Sequence, residues 1–140
     1  VSEKLIQHFI RGYFDGDGCF TYHINKKTGT NKFQICICST EHFCINLAQL
    51  IKEKLQVNCS IHKPKNKTTT TRLLFIGGRL QIYKFLNWLY KDSTIYMERK
   101  HNKFLENKKE LEKPKQNRWQ ILREKTNKIY AQYELQPIDN

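Results

Sequence analysis

The sequence predicts an α+β fold in which four antiparallel strands form one sheet and helices cover one of its faces. Apolar residues repeat at helical spacing in three segments and alternate with polar residues in four others, in the order α-β-β-α-β-β-α. Turn-forming residues separate these segments, and more helical sequence follows them. With 140 residues, 39% of them hydrophobic, the chain is long enough for one domain with its own core.

The first three elements are a helix and a β-hairpin. Ser2 can cap a helix whose apolar positions run from Leu5 to Phe14 at helical spacing. Polar and apolar side chains then alternate over residues 19–25 and again over residues 32–38, which predicts two strands joined by a Lys- and Thr-rich turn. One face of this hairpin is apolar and the other is polar, so we expect the polar face to be free to contact a partner.

The second half of the pattern predicts a helix, two strands and another helix. Ser39 or Thr40 caps the first of these helices, which reaches Leu55. A basic, threonine-rich turn joins the two strands, and two glycines end the second of them. The two strands and the following helix are expected, in chain order, at residues 57–63, 71–76 and 79–90.

Two further helices are expected toward the C terminus. The first runs from about Ile95 to about Leu111, where a proline soon interrupts the pattern, and the second follows that proline. We expect Trp119, on the last helix, to lie in the core. Residues 1–111 are therefore predicted to form the main domain, and residues 112–140 a helical extension that packs on it.

The positive charge of the chain is concentrated in the segments predicted as strands. The net charge is +12, and residues 18–40 and 54–91, which include all four strands, contain no acidic residue. A sheet that carries charge of one sign indicates nucleic acid as the partner. No apolar run approaches the roughly 20 residues of a membrane helix, so no membrane partner is expected.

The cysteine pattern indicates free thiols. The chain has five cysteines, an odd number, and no Cys-x-x-Cys pair. We therefore expect no disulfide partner and an intracellular, reducing compartment, either the cytoplasm or an organelle. The five histidines are too scattered along the chain to complete a zinc site.

The end of the first helix holds the most informative stretch, FIRGYFDGDGCF at residues 9–20. Gly12 and Gly16 lie four residues apart, so they share one helix face and allow another helix to approach closely. If that other helix is a copy of itself, each copy delivers a carboxylate to the shared end of the interface. Two neighbouring carboxylates that face a polyanion repel each other unless a divalent cation lies between them.

The segment from Ile10 to Gly18 resembles the LAGLIDADG motif of homing endonucleases. The order of the following elements is similar to that family too, as is the segment Ile95–Lys100 at the start of a late helix, and the resemblance covers about residues 3–108. It implies an αββαββα fold whose four-stranded antiparallel sheet forms a DNA-binding saddle, with helices after it. It also implies a single-motif, homodimeric, intron-encoded endonuclease that uses Mg²⁺ or Mn²⁺ to cleave a long, pseudo-palindromic site in double-stranded DNA.

The same resemblance implies roles for individual residues. Asp17, the last acid of the motif, would bind the catalytic metal, with the Gly16 carbonyl as a further ligand. Lys100 or Arg99 would be the basic group at the cleavage centre, and Ser39 would order a water molecule.

The remaining implied roles concern the interfaces. The dimer interface would consist of Gly12, Tyr13, Asp15 and Gly16, with Asp15 also supporting the turn. Arg11 stands at a position where the family often has a small residue, a departure that matters little if its side chain points outward. The residues expected to bind DNA are Thr21, His23, Asn25, Lys26, Lys27, Lys32, Gln34, Ser60, His62, Lys63, Lys65, Lys67 and Arg72.

Two other interpretations stay open at this stage. The scaffold could serve a nucleic-acid binder that does not cleave, such as an RNA maturase or a transcriptional regulator. The chain could also be one half of a two-motif protein or of an intein endonuclease. An intact Asp17 beside a basic centre favours the enzyme, because a regulator has no need to keep that acid.

Overall fold

The computed structural model describes residues 2–29, 31–65, 70–112 and 118–137. Its elements are α1 (Glu3–Asp17), β1 (Gly18–Ile24), β2 (Asn31–Thr40), α2 (Glu41–Leu55), β3 (Ser60–His62), β4 (Thr71–Gly77), α3 (Arg79–Tyr90), α4 (Glu98–Glu112) and α5 (Arg118–Gln132). The four strands form one antiparallel sheet in the order β1-β2-β4-β3. The predicted fold class, with its αββαββα order and C-terminal helices, is confirmed.

The two faces of the sheet have different environments. Alternate side chains of each strand point to opposite faces, and helices α1, α2 and α3 pack on one of them. The strand residues buried on that side are Phe20, Phe33, Ile35, Ile37, Leu74 and Ile76. The opposite face, which we call the open face, carries Cys19, Thr21, His23, Lys32, Gln34, Cys36, Cys38, Ser60, His62, Leu73 and Phe75.

Local capping explains where α1 and α2 begin. The Ser2 hydroxyl accepts a hydrogen bond from the Leu5 amide at 3.4 Å, and the Thr40 hydroxyl accepts one from the Phe43 amide at 3.2 Å. These contacts satisfy amides that have no partner within the helix. Of the two caps that the sequence allowed for α2, the structure uses Thr40.

The third strand is shorter than predicted. Sequence alternation indicated residues 57–63, but only Ser60–His62 pair with β4. The reason lies just before it: the Asn58 amide donates to the Gln81 side chain of α3 at 2.6 Å. That contact directs the chain toward α3 instead of along β4.

Two predictions for the C-terminal part are also corrected. Helix α4 begins at Glu98 rather than near Ile95, because the amide of Met97 donates to the Asp15 carboxylate on α1. Trp119 is 62% exposed and is not part of the core. Within α5, Leu122 and Ile129 are exposed as well.

Candidate active site

Asp17 lies at the junction between α1 and the sheet. It is the last residue of α1, its side chain is exposed, and β1 begins at the next residue. Gly18 makes this abrupt transition possible, because a Cβ there would lie 2.7 Å from the Phe14 carbonyl oxygen and would overlap the Phe14 ring. The carboxylate therefore stands at the edge of the open face, where the first neighbouring strand residue is Cys19.

Asp15, two residues earlier, has the opposite environment. It is 8% exposed, and its two carboxylate oxygens accept hydrogen bonds from the Tyr90 hydroxyl at 2.7 Å and the Met97 amide at 2.8 Å. Burial, together with this hydrogen bond, raises the pKa of Tyr90. Asp15 thus ties α1 to the end of α3 and to the loop before α4, rather than to its own turn.

Arg11 is buried, so the condition under which its departure from the motif would matter little is not met. Its exposure is 4%, and it donates to the Leu89 carbonyl and to the Ile95 carbonyl, each at 3.0 Å. It also contacts the His8 ring nitrogen. These bonds hold the same loop that Asp15 holds, which is why a charged side chain is tolerated inside the protein.

Lys100 closes the C-terminal end of α1. Its ammonium donates to the carbonyl oxygens of Phe14 at 2.7 Å and Asp15 at 2.8 Å, and also to that of Gly18. The Asp15 carbonyl is of the kind that a helix end leaves without an intrahelical partner. The Phe14 carbonyl also accepts from the Gly18 amide, and the Gly18 carbonyl belongs to β1. Burial lowers the pKa of Lys100, an effect that the nearby Asp15 carboxylate opposes. Lys100 thereby holds the backbone on both sides of Asp17.

Arg99, the other candidate for the basic group, is differently placed. It is exposed on the first turn of α4, and its guanidinium lies 4.0 Å from the Met97 sulfur. Of the two candidates, Lys100 is therefore the one whose side chain binds the backbone that carries Asp17.

Ser39 and Arg72 lie opposite each other in the β2–β4 register, on the helix-covered side of the sheet. Both share the orientation of buried strand residues such as Ile37 and Leu74. The Arg72 guanidinium forms an ion pair with Glu41 at 2.6 Å. We therefore carry neither Arg72 into the proposed DNA interface nor Ser39 into the proposed catalytic centre.

The other residues expected to bind DNA fall into three groups. Thr21, His23, Lys32, Gln34, Ser60 and His62 lie on the open face. Lys26, Lys27, Lys63 and Lys65 are exposed beside strand ends. Asn25 shapes the hairpin turn, since its side-chain oxygen accepts from the Lys27 amide at 3.0 Å, and Lys67 lies outside the described residues.

Gly12 and Gly16 are exposed on α1, and a Cβ at either position would meet nothing within 4 Å. Leu5 and Phe9 are 60% and 62% exposed and lie on the same helix face. We call these four residues the α1 stripe. Tyr13, in contrast, packs within the chain: its ring lies 4.6 Å from that of Phe43, and its hydroxyl donates to the Cys38 carbonyl at 3.3 Å.

The ligands for a metal are limited to a few oxygen atoms. In the part of the chain that the structure describes, no group of three or more His, Cys, Asp and Glu side chains comes together. Asp17 offers an exposed carboxylate, and the Gly16 carbonyl lies in the last turn of α1. Oxygen donors of this kind suit Mg²⁺, which commonly binds to one or two carboxylates.

Two further observations concern the sequence expectations about partners. The five cysteines are free thiols, and burial raises the pKa of Cys59 to about 11. Among the described helices, none combines the length and the apolar character that crossing a membrane requires.

The family model described as "LAGLIDADG-like domain" matches residues 4–88. This range holds α1, the whole sheet and most of α3. Among curated proteins, none has significant sequence similarity to this chain.

Several solved structures of homing endonucleases are similar in fold. The chain is 13% identical to I-CvuI in complex with the I-CreI target and Mg, with a TM-score of 0.61, covering 98% of this chain and 85% of that one. It is 20% identical to the archaeal intron-encoded I-Vdi141I complexed with DNA, with a TM-score of 0.56 and coverages of 75% and 67%. The meganuclease I-SmaMI, bound to uncleavable DNA, is 22% identical with a TM-score of 0.56, and the match spans 76% of this chain and only 36% of that one.

Proposed function

The chain belongs to the LAGLIDADG-like domain family, and from that premise we propose that it is a divalent-metal-dependent endonuclease that cleaves both strands of DNA at a long, pseudo-palindromic site. The observation that carries the proposal is the placement of Asp17. Its exposed carboxylate stands where α1 meets the open face, while Asp15, two residues away, is buried and engaged in hydrogen bonds through both oxygens. An exposed carboxylate at the edge of a basic surface is well placed to bind a metal ion next to a DNA phosphate.

The charge of the sheet supports DNA as the substrate. The sequence segments that form β1 and β2 contain no acidic residue from Gly18 to Thr40, and the same holds for residues 54–91. Lys32 lies on the open face, and Lys26 and Lys27 extend the positive charge along the hairpin. Lysines so placed would displace counterions from the DNA backbone, while polar side chains between them contact base edges in the major groove.

The α1 stripe supports a homodimer. A glycine inside a helix costs about 0.5–1 kcal/mol relative to alanine, yet this chain has room for a methyl group at Gly12 and Gly16. Close approach of a second helix explains both glycines, and the exposed Leu5 and Phe9 would be buried by it. Ile95, 83% exposed in the loop that Arg11 holds, adds apolar surface beside the stripe.

In a dimer with two-fold symmetry, each catalytic centre would contain residues from both copies of the chain. In an isologous dimer the same surface of each copy meets the other, so both α1 helices end at the shared axis. Asp17 and the Gly16 carbonyl of each copy would then hold the metal. A bound Mg²⁺ would supply charge stabilisation at the phosphodiester and activation of water.

The surrounding residues would keep Asp17 in place during the reaction. Lys100 fixes the carbonyls of Phe14, Asp15 and Gly18, so the last turn of α1 cannot unwind without breaking three hydrogen bonds. Asp15 and Arg11 hold the loop before α4, which places Lys100 in position. We assign Lys100 a positioning role.

We expect Gly12→Leu to break the dimer. The side chain would project from the α1 stripe into the space that a second α1 needs, while its Cβ would meet nothing within 4 Å in the protomer itself. Light scattering at several protein concentrations should show a monomer. Asn87→Leu, which adds the same side chain at an exposed position on α3, should remain a dimer; an active Gly12→Leu dimer would rule out packing through this stripe.

We expect DNA affinity to fall steeply as the salt concentration rises. Two pairs of lysines should contribute differently to the slope of log affinity against log salt concentration. Lys26→Ala with Lys27→Ala should reduce the slope of log affinity against log salt by about 0.9 for each phosphate that the variant no longer neutralises. Lys84→Ala with Lys109→Ala removes the same charge from exposed positions on the helices and should leave the slope unchanged. Equal slopes for both double variants would mean that the hairpin lysines do not bind phosphate.

The experiment that tests the proposed function is incubation of the full chain with a plasmid library of candidate sites, with Mg²⁺ or with a chelator. Linear products that appear only with Mg²⁺, and that share one roughly palindromic sequence, support the endonuclease. Tight, site-selective DNA binding without cleavage would favour a regulator. Preference for structured RNA over every duplex would favour a maturase.

A further inference from the structure

The end of the open face where β1 begins is not basic. Five neighbouring side chains there lack a strong hydrogen-bonding group: Cys19 on β1, Cys36 and Cys38 on β2, and Leu73 and Phe75 on β4. All five are partly or fully exposed. We call them the soft patch.

The strand register makes these residues contiguous. Cys19 lies directly opposite Cys36, and Cys36 lies opposite Phe75 on its other side. Cys38 lies opposite Leu73, one position along the same face. Directly opposed side chains in adjacent antiparallel strands have Cβ atoms about 4.5–5.5 Å apart, so the five form one surface.

Polar groups frame the soft patch on both sides. Thr21 and Gln34 are the next open-face pair toward the hairpin turn. Ser60 and His62 follow on β3, beyond Phe75 and Leu73, and the His62 ring lies 5.5 Å from that of Phe75. The conventional hydrogen-bonding side chains of the open face therefore border the soft patch, whose own side chains cannot read base edges in that way.

The apolar character of the soft patch matches one chemical group of a DNA duplex. Cysteine behaves as a small hydrophobic residue with a weak donor, and burial raises the pKa of the Cys36 thiol above its ordinary value. In the major groove the only apolar group that a base pair presents is the 5-methyl group of thymine. The lysine-rich surroundings bring a polyanion to this face, so DNA, rather than an apolar peptide, is the occupant that fits both the patch and its frame.

We propose that the soft patch reads thymine methyl groups in the DNA target, by apolar contact and without direct hydrogen bonds to bases. This inference rests on the proposed function and adds the kind of base that this end of the sheet prefers. Strands β1 and β4 lie two strand spacings apart, about 10 Å, and successive base pairs are about 3.4 Å apart. The patch is thus wide enough to contact about three base pairs in each half-site.

The test removes the methyl groups and nothing else. Duplexes are first selected from a randomised pool with the wild-type chain, and each thymine of the selected sequence is then replaced singly by deoxyuridine. Affinity is measured without Mg²⁺, so that cleavage does not interfere. We expect two symmetry-related clusters of one to three thymines at which each replacement weakens binding about fourfold, the value for one buried methyl group.

Protein variants assign the effect to the patch. Cys36→Ser and Cys38→Ser keep the side-chain shape but add a strong hydrogen-bonding group, and in the combined variant the methyl effect should decrease at the thymines that these two side chains contact. Gln34→Ala, on the polar frame, should weaken binding yet retain the methyl effect. A melting curve for each variant confirms that it is folded.

Each outcome of these experiments either supports the inference or overturns it. If no selected thymine is sensitive to removal of its methyl group, or if the combined cysteine variant keeps the full sensitivity at every thymine, the inference is overturned while DNA binding stands. If α5 or a second copy of the chain covered the soft patch, removal of thymine methyl groups would likewise leave DNA binding unchanged. If the pool yields no enriched duplex at all, the proposed function itself fails.

Discussion

Asp17→Asn should reduce strand cleavage by more than about 100-fold and leave DNA binding intact. An amide is a poorer ligand than a carboxylate for a hard cation, and removal of even an indirect partner at a metal site typically costs about 10–100-fold in metal affinity or activity. The substitution also removes a negative charge at the edge of the DNA-binding face. In the absence of metal, the variant should therefore bind DNA as tightly as the wild type or more tightly.

Asp15→Asn is the matched control for this experiment, because it makes the same change two residues away. Asp15 accepts hydrogen bonds from Tyr90 and Met97 inside the protein, so its replacement should lower the free energy of unfolding by about 1–3 kcal/mol. Below its melting temperature this variant should still cleave. A nicking assay and a gel shift on one substrate compare the two variants; retained cleavage by Asp17→Asn would contradict the assignment of the metal ligand.

Lys100→Met should destabilise the protein as well as slow cleavage. The variant removes the ammonium donor from three carbonyl oxygens around the junction of α1 and β1, of which that of Phe14 keeps the Gly18 amide, at a cost of about 2 kcal/mol. Because those carbonyls flank Asp17, the cleavage rate should fall even under conditions in which the variant is fully folded. Denaturant unfolding measures the first effect and single-turnover cleavage the second.

Arg99→Met provides the comparison, since it removes the adjacent positive charge from an exposed position on the same helix turn. We expect its stability to stay within about 0.5 kcal/mol of the wild type. If Lys100→Met abolished cleavage with no decrease in stability, Lys100 would act on the reacting phosphate itself rather than through the backbone of α1.

The pattern of apolar residues was enough to predict the order of elements, because each of the seven core elements follows a clear period. It did not place the start of α4, since the decisive hydrogen bond joins Met97 to Asp15, 82 residues earlier in the chain. Pairings over such a distance in sequence have no signature in local periodicity. The short third strand has the same kind of cause, a hydrogen bond from Asn58 to Gln81.

The candidate site was predictable where a residue's neighbours in the sequence determine its environment. Asp17 follows a helix and precedes a strand, and its exposure fits that position. Strand alternation could also have placed Arg72 and Ser39 on the apolar side, in phase with Leu74 and Ile37, but their polar character suggested otherwise.

Burial of Arg11 was the least predictable feature of the site. The one available signal was its spacing of four residues from Asp15, which places two opposite charges on the same side of α1. Its partners, the carbonyls of Leu89 and Ile95, are backbone groups, which every residue has, so the sequence does not identify them. The capping role of Lys100 was hidden for the same reason.

The most direct test of the central claim is cleavage by a mixed dimer with one wild-type copy and one Asp17→Asn copy. Two differently tagged chains can be co-expressed and purified through both tags, with a doubly tagged wild-type dimer as the control. If the two copies of Asp17 meet at a shared centre, the mixed dimer should bind the selected DNA normally but yield at most nicked circles, without linear product. Linear product at the wild-type rate would show that one Asp17 is sufficient and would contradict the account.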